Sequence, residues 1–310
     1  MNETPKSGAK LALGPLLFNW PSATRRDFYF RIADEAPVDT VYIGEVVCQK
    51  RAVFLEPVLA EIVERLERAG KEVVLSTLAL VMTAEELDAI RATAVESERL
   101  VEANDVAAVS ALGGRPHVVG PFVNAYNEGT LDYLFRRGAL RVSLPAELSA
   151  EAIAALAAHA GGERLEVQVF GRLPLALSAR CYHARVHGLH KDGCRYVCGE
   201  DPDGLDLETL DGEPFLAING TQTMTYTVCN LIGALGALSD LGIGGFRLWP
   251  QAVDMVAVAE TFRAVLDGRE DPAAAVARLE EIAALAPFAA GFHEGRDRAA
   301  RELPFSMRAE

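Results

Sequence analysis

Nowhere in the 310 residues is there an apolar run approaching the ~18 that a bilayer-spanning helix needs, so no transmembrane segment is expected. Residues Met1–Lys10 are polar, hold Pro5 and Gly8, and lack the apolar centre of a secretion signal. They read as a disordered start, and the expected location is cytoplasmic. No run of Lys or Arg forms a basic stripe. Acidic residues outnumber basic ones, 44 to 30, for a net charge of −14. That balance argues against a partner held by nucleic-acid phosphates and against docking on an anionic membrane. Familiar catalytic loops are missing too. There is no Gly-x-Ser-x-Gly elbow and no Walker loop. Gly242-Ile-Gly-Gly245 precedes a strand instead of opening a helix, so it reads as a helix stop, not a dinucleotide loop. Cysteine is scarce, five in all. A chain of this length buries a large core without disulfides. Under reducing conditions those cysteines are metal ligands, catalysts or core residues.

What is present is alternation. Strand-like runs at Lys10–Phe18, Thr40–Gly44, Glu72–Ser76, Leu100–Ala103, His117–Val119, Leu140–Ser143, Leu165–Phe170 and Gly245–Leu248 alternate with helical stretches for most of the length. The helices fall at Asp27–Asp34, near Pro57–Ala69, after Thr83, at Asp105–Leu112, Leu131–Arg137, Ser149–His159, Leu231–Asp240, Asp254–Leu266 and Ala273–Leu285. Thr83-Ala-Glu-Glu86 fits a capping box, and Ser149 is a second helix cap. Eight such units predict a parallel sheet with helical crossovers, closed as a (β/α)8 TIM-barrel-like α/β fold. A doubly wound open sheet is the alternative. The pattern breaks after strand seven. From about 171 to 226 turn signals dominate, such as Lys191-Asp-Gly193 and Asp201-Pro-Asp-Gly204, with strand-like runs at Phe215–Ile218 and Met224–Val228. The chain thus divides into an N-terminal tail (1–9), a single barrel domain (10–290) with an insertion at about 171–226, and a charged C-terminal tail (291–310).

The cysteines fall unevenly on this plan. Cys48 follows the second strand, while Cys181, Cys194 and Cys198 lie in the insertion. On a barrel all four belong to loops of the C-terminal face, where active sites of this fold lie. Three cysteines within eighteen residues of an irregular loop point to a metal centre that orders it. Fe–S clusters take four cysteine thiolates, but Cys-x12-Cys-x3-Cys is not a ferredoxin spacing. Zinc is the rival, since His183, His187 and His190 lie between the cysteines. A third option is burial as small hydrophobes. Cys229 sits in an apolar stretch and reads as a core residue. His183-Ala-Arg-Val-His187 has helical i,i+4 spacing, but Ala184 stands where a zinc protease carries its general-base Glu, so these read as loop histidines. Arg180, Asn219, Gln222, Tyr126 and Trp249 are weighed as lining the mouth, against surface, turn and core roles.

Several segments resemble one family. Leu11-Ala-Leu-Gly-Pro15 with Trp20-Pro21, Val41-Tyr-Ile-Gly-Glu-Val-Val-Cys-Gln-Lys-Arg51, Leu75-Ser-Thr-Leu-Ala-Leu-Val81, Leu173-Pro-Leu-Ala-Leu-Ser-Ala-Arg-Cys-Tyr182 and Asn219-Gly-Thr-Gln-Thr-Met224 occur in the order found in UbiV-type proteins of the collagenase-like peptidase superfamily. The likeness runs from about residue 10 to 270. It implies one [4Fe–4S] cluster held by Cys48, Cys181, Cys194 and Cys198. It also implies oxygen-independent hydroxylation of a ubiquinone precursor ring under anaerobic conditions. The implied partners are a UbiU-like protein, as heterodimer, and a UbiT-like lipid-binding accessory protein, with prephenate as oxygen donor. The segment Gly193-Cys-Arg-Tyr-Val-Cys198 lacks the extra cysteine beside Cys198 that some members carry, and the chain matches poorly after about Leu285. A cluster- or zinc-stabilised assembly module, and a peptidase-like or RNA-hydroxylating relative, stand as alternatives.

Overall fold

Short strands buried along nearly their whole length build this molecule. The computed structural model describes residues 8–295. In chain order the elements are β1 (Lys10–Leu13), α1 (Ser22–Glu35), β2 (Thr40–Ile43), α2 (Ala52–Arg68), β3 (Glu72–Ser76), α3 (Ala84–Glu96), β4 (Val101–Ala103), α4 (Val106–Leu112), β5 (His117–Val119), α5 (Glu128–Arg136), β6 (Ala139–Ser143), α6 (Ala150–Ala160) and β7 (Leu165–Leu177). Then follow α7 (Tyr182–Val186), β8 (Leu205–Glu208), β9 (Pro214–Asn219), β10 (Gln222–Asn230), α8 (Leu235–Asp240), β11 (Gly245–Leu248), α9 (Met255–Leu266), α10 (Pro272–Ile282) and β12 (Phe288–Ala289). Strands β1 to β7 pair in order, all parallel, and β11 pairs with both β1 and β7. The sheet is therefore a closed eight-stranded parallel barrel ringed by helices, as the alternation predicts.

Side-chain oxygens start the helices: Thr83 accepts from the Glu86 N–H in the full capping box, and Asp105, Asn127, Ser149, Asp254 and Asp271 do likewise. The main core lies between strands and helices, and Ala12, Tyr42, Val74 and Val118 form a smaller cluster of their own. Strands β4 and β11 are not neighbours, yet Arg247 Nη1 donates to Glu102 at 2.6 Å, so the two side chains meet across the lumen. Arg247 also bonds Glu166 on β7 and lies 3.9 Å from the Tyr42 ring centroid. The barrel interior thus holds a buried ionic cluster.

Several boundaries differ from the sequence reading. Strand β1 ends at Leu13 instead of Phe18, because Pro15 has no N–H to continue the ladder. Helix α2 begins at Ala52, five residues before Pro57, which it carries in its interior. Strand β7 does not stop near 171. Gly171 (φ +108°) turns it, and its second half leaves the barrel to pair antiparallel with β10. The inserted segment thus runs from 178 to 221 and closes as the hairpin β9–β10. Cys229 lies in β10, not at a helix start, and is buried as expected of a core cysteine. His183 lies on a short helix, α7, and His187 is that helix's C-cap. Of the two proposed tails, 1–7 and 296–310 lie outside the described residues. No helix among the described residues is long and apolar enough to cross a membrane.

Candidate functional site

The loop after β2 carries the first cysteine. Glu45 folds it: its Oε1 accepts from the N–H groups of Val47 (3.2 Å) and Cys48 (3.1 Å). Cys48 then caps a single 3-10 turn, Gln49–Arg51, through its carbonyl. Cys181 caps α7, with Sγ accepting from the Ala184 N–H at 3.4 Å. Between Cys194 and Cys198 two consecutive non-glycine residues, Arg195 (φ +52°) and Tyr196 (φ +56°), are left-handed. That conformation costs roughly 1–2 kcal/mol per residue. Here it turns the Cys-x3-Cys segment back on itself, and Tyr196 is held edge-on against Phe54 of α2 at 5.0 Å. Such strain persists where the surroundings over-determine it, often at functional sites.

These segments converge. Cys48, Cys181, Cys194 and Cys198 line one small cavity of about 20 Å³ that is partly open to solvent. All four carry free thiols. The hub is the tip of the β9–β10 hairpin. Asn219 Nδ2 donates to the Leu17 carbonyl (2.9 Å) and Thr221 Oγ1 to the Val47 carbonyl (3.0 Å). On the other side, Ser178 N donates to the Thr221 carbonyl (2.9 Å) and His183 N to that of Gly220 (3.4 Å). One turn therefore ties the β1 and β2 loops to the segment bearing Cys181. Lys50 Nζ, donating to the Lys191 carbonyl at 2.9 Å, ties in the segment before Cys194.

The electrostatics favour an anionic occupant. Arg51 lines the cavity with Lys50 and Lys191. Nearby, Arg25 is as deeply buried as Arg51, and Glu45 is the carboxylate between them, 3.6 Å from Arg25. Burial works to lower the pKa of Arg51, but Cys198, Glu45 and Cys48 outweigh it and hold it above the usual arginine value. Burial pushes the Cys48 thiol up, with Arg51 pulling the other way. It pushes Cys181 up as well, against the Ala184 N–H. Buried thiols become thiolates when a cation or metal stabilises them. Four cysteines lining one cavity, with Lys50, Arg51 and Lys191 beside them, are a donor set whose chemistry suits a thiolate-held cluster.

His183, His187 and Asp201 bring one ligand atom each within 4.8 Å of one another. His183 is wholly buried, and its Nε2 lies 2.8 Å from Asp201. Its ring is parallel to that of His187, 4° apart in plane and 5.7 Å between centroids. The pair ties α7 to the Asp201–Gly204 turn, which in turn accepts the Trp20 indole through Pro202 at 2.7 Å.

The remaining sequence candidates separate. Trp249 is fully buried in the core, Arg180 is exposed, and Tyr126 stands at the rim of a second cavity of about 310 Å³, donating to Glu147 at 2.6 Å. Phe122, Leu80 and Leu177 line that cavity, which sits over the barrel mouth. Gln222 and Asn219 are buried, Asn219 as an anchor of the hairpin tip. Arg51 was not among the sequence candidates. Its signal is the run Cys48-Gln-Lys-Arg51, which sets two cations within one turn of a thiol.

A sequence model of peptidase family U32 matches residues 29–302. Similar solved structures include a U32 peptidase, 12% identical over 81% of this chain and 97% of its own, with a TM-score of 0.43. A truncated 3-deoxy-D-arabino-heptulosonate 7-phosphate synthase from Thermotoga maritima is 10% identical over 92% of this chain and 91% of its own, with a TM-score of 0.44. N-acetylneuraminate lyase from Fusobacterium nucleatum is 8% identical over 87% and 79%, with a TM-score of 0.44.

Proposed function

The chain belongs to peptidase family U32, and from that premise we propose that it is a UbiV-type iron–sulfur protein serving oxygen-independent hydroxylation of a ubiquinone precursor ring. In this reading Cys48, Cys181, Cys194 and Cys198 hold one [4Fe–4S] cluster. The observation that carries it is the convergence of four thiols, from loops up to 150 residues apart in sequence, on one cavity bordered by buried positive charge. When bound, such a cluster supplies one-electron chemistry or activates an oxygen donor.

The chain's own residues have separable tasks. The hairpin tip and the Lys50–Lys191 contact hold the four thiols in register. Arg51, Lys50 and Lys191 offset the negative charge of a thiolate-bound centre. An anionic donor such as prephenate would meet that same basic rim. The cavity at the barrel mouth offers Phe122, Leu80 and Leu177 to the face of a ring and Tyr126, Glu147 and Asn124 to its polar substituents. A UbiU-like partner, a UbiT-like accessory protein and a cytoplasmic location belong to this reading.

Peptide hydrolysis, which the family's name suggests, has weaker support. His183 is wholly buried against Asp201, leaving it no access to a scissile bond. The test is the ubiquinone content of a deletion strain grown without oxygen. Ubiquinone should be lost, restored by the wild-type gene, and not restored by Cys48→Ala or Cys198→Ala. Full restoration by both variants would remove the cluster from the reaction.

A further inference from the structure

Arg51 is 1% exposed, and besides Cys198 its guanidinium bonds neutral oxygens. Its Nη1 donates to the Leu17 carbonyl at 2.8 Å and its Nη2 to Asn219 Oδ1 at 2.9 Å. Glu45, the nearby buried carboxylate, makes its ion pair with Arg25 and reaches Arg51 only through space. A cation shut away from water is costly unless an anion meets it. The remaining direction open to the guanidinium is the cysteine cavity, which it lines beside Cys48 and Cys198.

The fold holds Arg51 in that position. Asn219 fixes one arm of the fork while its own amide is anchored on Leu17. Gly220 follows with φ +65°, and a Cβ there would run into the guanidinium. Only glycine lets the turn close over Arg51. The conformation and the contact both demand it.

We infer that Arg51 is the fixed counter-charge of the four-cysteine pocket, positioned by the Asn219–Gly220 turn to favour the reduced form of the centre bound there. This rests on the iron–sulfur reading. A positive charge held beside the sulfurs stabilises the more negative, reduced state, so it raises the reduction potential. Arginine suits the task because its fork is anchored by two acceptors while its charge faces the sulfurs.

The experiment compares wild type, Arg51→Gln, Arg51→Lys and Asn219→Ala after anaerobic reconstitution with iron and sulfide. Iron content is measured first, then the midpoint potential by titration followed with electron paramagnetic resonance. Arg51→Gln should keep its iron while its reduced-to-oxidised ratio at a given potential falls about tenfold, a shift of about 59 mV to more negative values for a one-electron couple. Asn219→Ala and Arg51→Lys, which keep the charge but loosen it, should shift the same way by less. These two decide the matter if Arg51→Gln does not fold. Variants with intact clusters and unmoved potentials, or shifts to more positive values, overturn the inference. A wild-type protein that takes up no iron overturns the iron–sulfur reading itself, before any potential is measured.

Discussion

Thr221 and Val47, 174 residues apart in sequence, are joined by a hydrogen bond from the threonine hydroxyl to the valine carbonyl at 3.0 Å. Through it the tip of an inserted hairpin reaches the segment that bears Cys48. Thr221→Val removes the donor and leaves a buried carbonyl without its partner. A loss of about 1–3 kcal/mol in urea unfolding is expected. Iron uptake should drop along with it, since the two halves of the donor set lose a tie. Unchanged stability and uptake would show that the hairpin is not what aligns them.

The left-handed pair before Cys198 makes an opposite prediction. Arg195 is exposed, so a glycine there loses no packing. It relieves roughly 1–2 kcal/mol of backbone strain and costs about 0.5–1 kcal/mol in unfolded-chain entropy. Arg195→Gly should therefore be neutral to stabilising by up to about 1.5 kcal/mol in thermal or urea unfolding, with iron binding kept. A clear destabilisation would mean that the Arg195 side chain itself is needed.

Within the barrel, Arg247 is paired with Glu102 and Glu166, and all three are buried. Removing one member leaves charge unmatched in a dry interior. Glu102→Gln or Arg247→Met should cost about 3–5 kcal/mol, read from chemical denaturation. A cost under about 1 kcal/mol would show that water or a neighbour takes over the lost contact.

His117 sets part of the pH dependence. It is fully buried on β5, with Nδ1 2.8 Å from the Arg115 carbonyl. Burial, helped by Arg137, lowers its pKa in the folded state. The unfolded chain takes up the proton first as pH falls below about 6.5. Stability is thus complete above that value and is lost as pH drops through the lowered folded value. His117→Gln should make the fall in unfolding midpoint between pH 7 and 5 shallower. His183 and His293 shift in the same direction, so some slope should persist. A slope as steep as that of wild type would clear His117 of any part in it.

Much of this was legible in local pattern. Eight strands, the Thr83 box and the Ser149 cap follow from periodicity and short-range hydrogen bonds, and closure into a barrel follows from the strand count. The cysteines stood out because thiols are rare in a loop without helical period. What escaped notice depends on contacts between distant residues. Nothing near Thr221 or Asn219 says that their side chains reach Val47, Leu17 and Arg51. Gly171 reads as the end of a strand in the sequence, and in the structure it is the bend at which β7 leaves the barrel. The lumen cluster had left a trace: Glu102, Glu166 and Arg247 are charges set inside otherwise apolar strands, and buried charges need one another.

The most direct measurement is the iron, acid-labile sulfide and zinc content of protein purified without oxygen, taken for wild type and for each of Cys48→Ala, Cys181→Ala, Cys194→Ala and Cys198→Ala. The account predicts a brown wild-type protein with about four irons and four sulfides per chain, and loss of both in every variant but not in Cys229→Ala. A colourless protein carrying one zinc, or a variant among the four that keeps its iron in full, would contradict it.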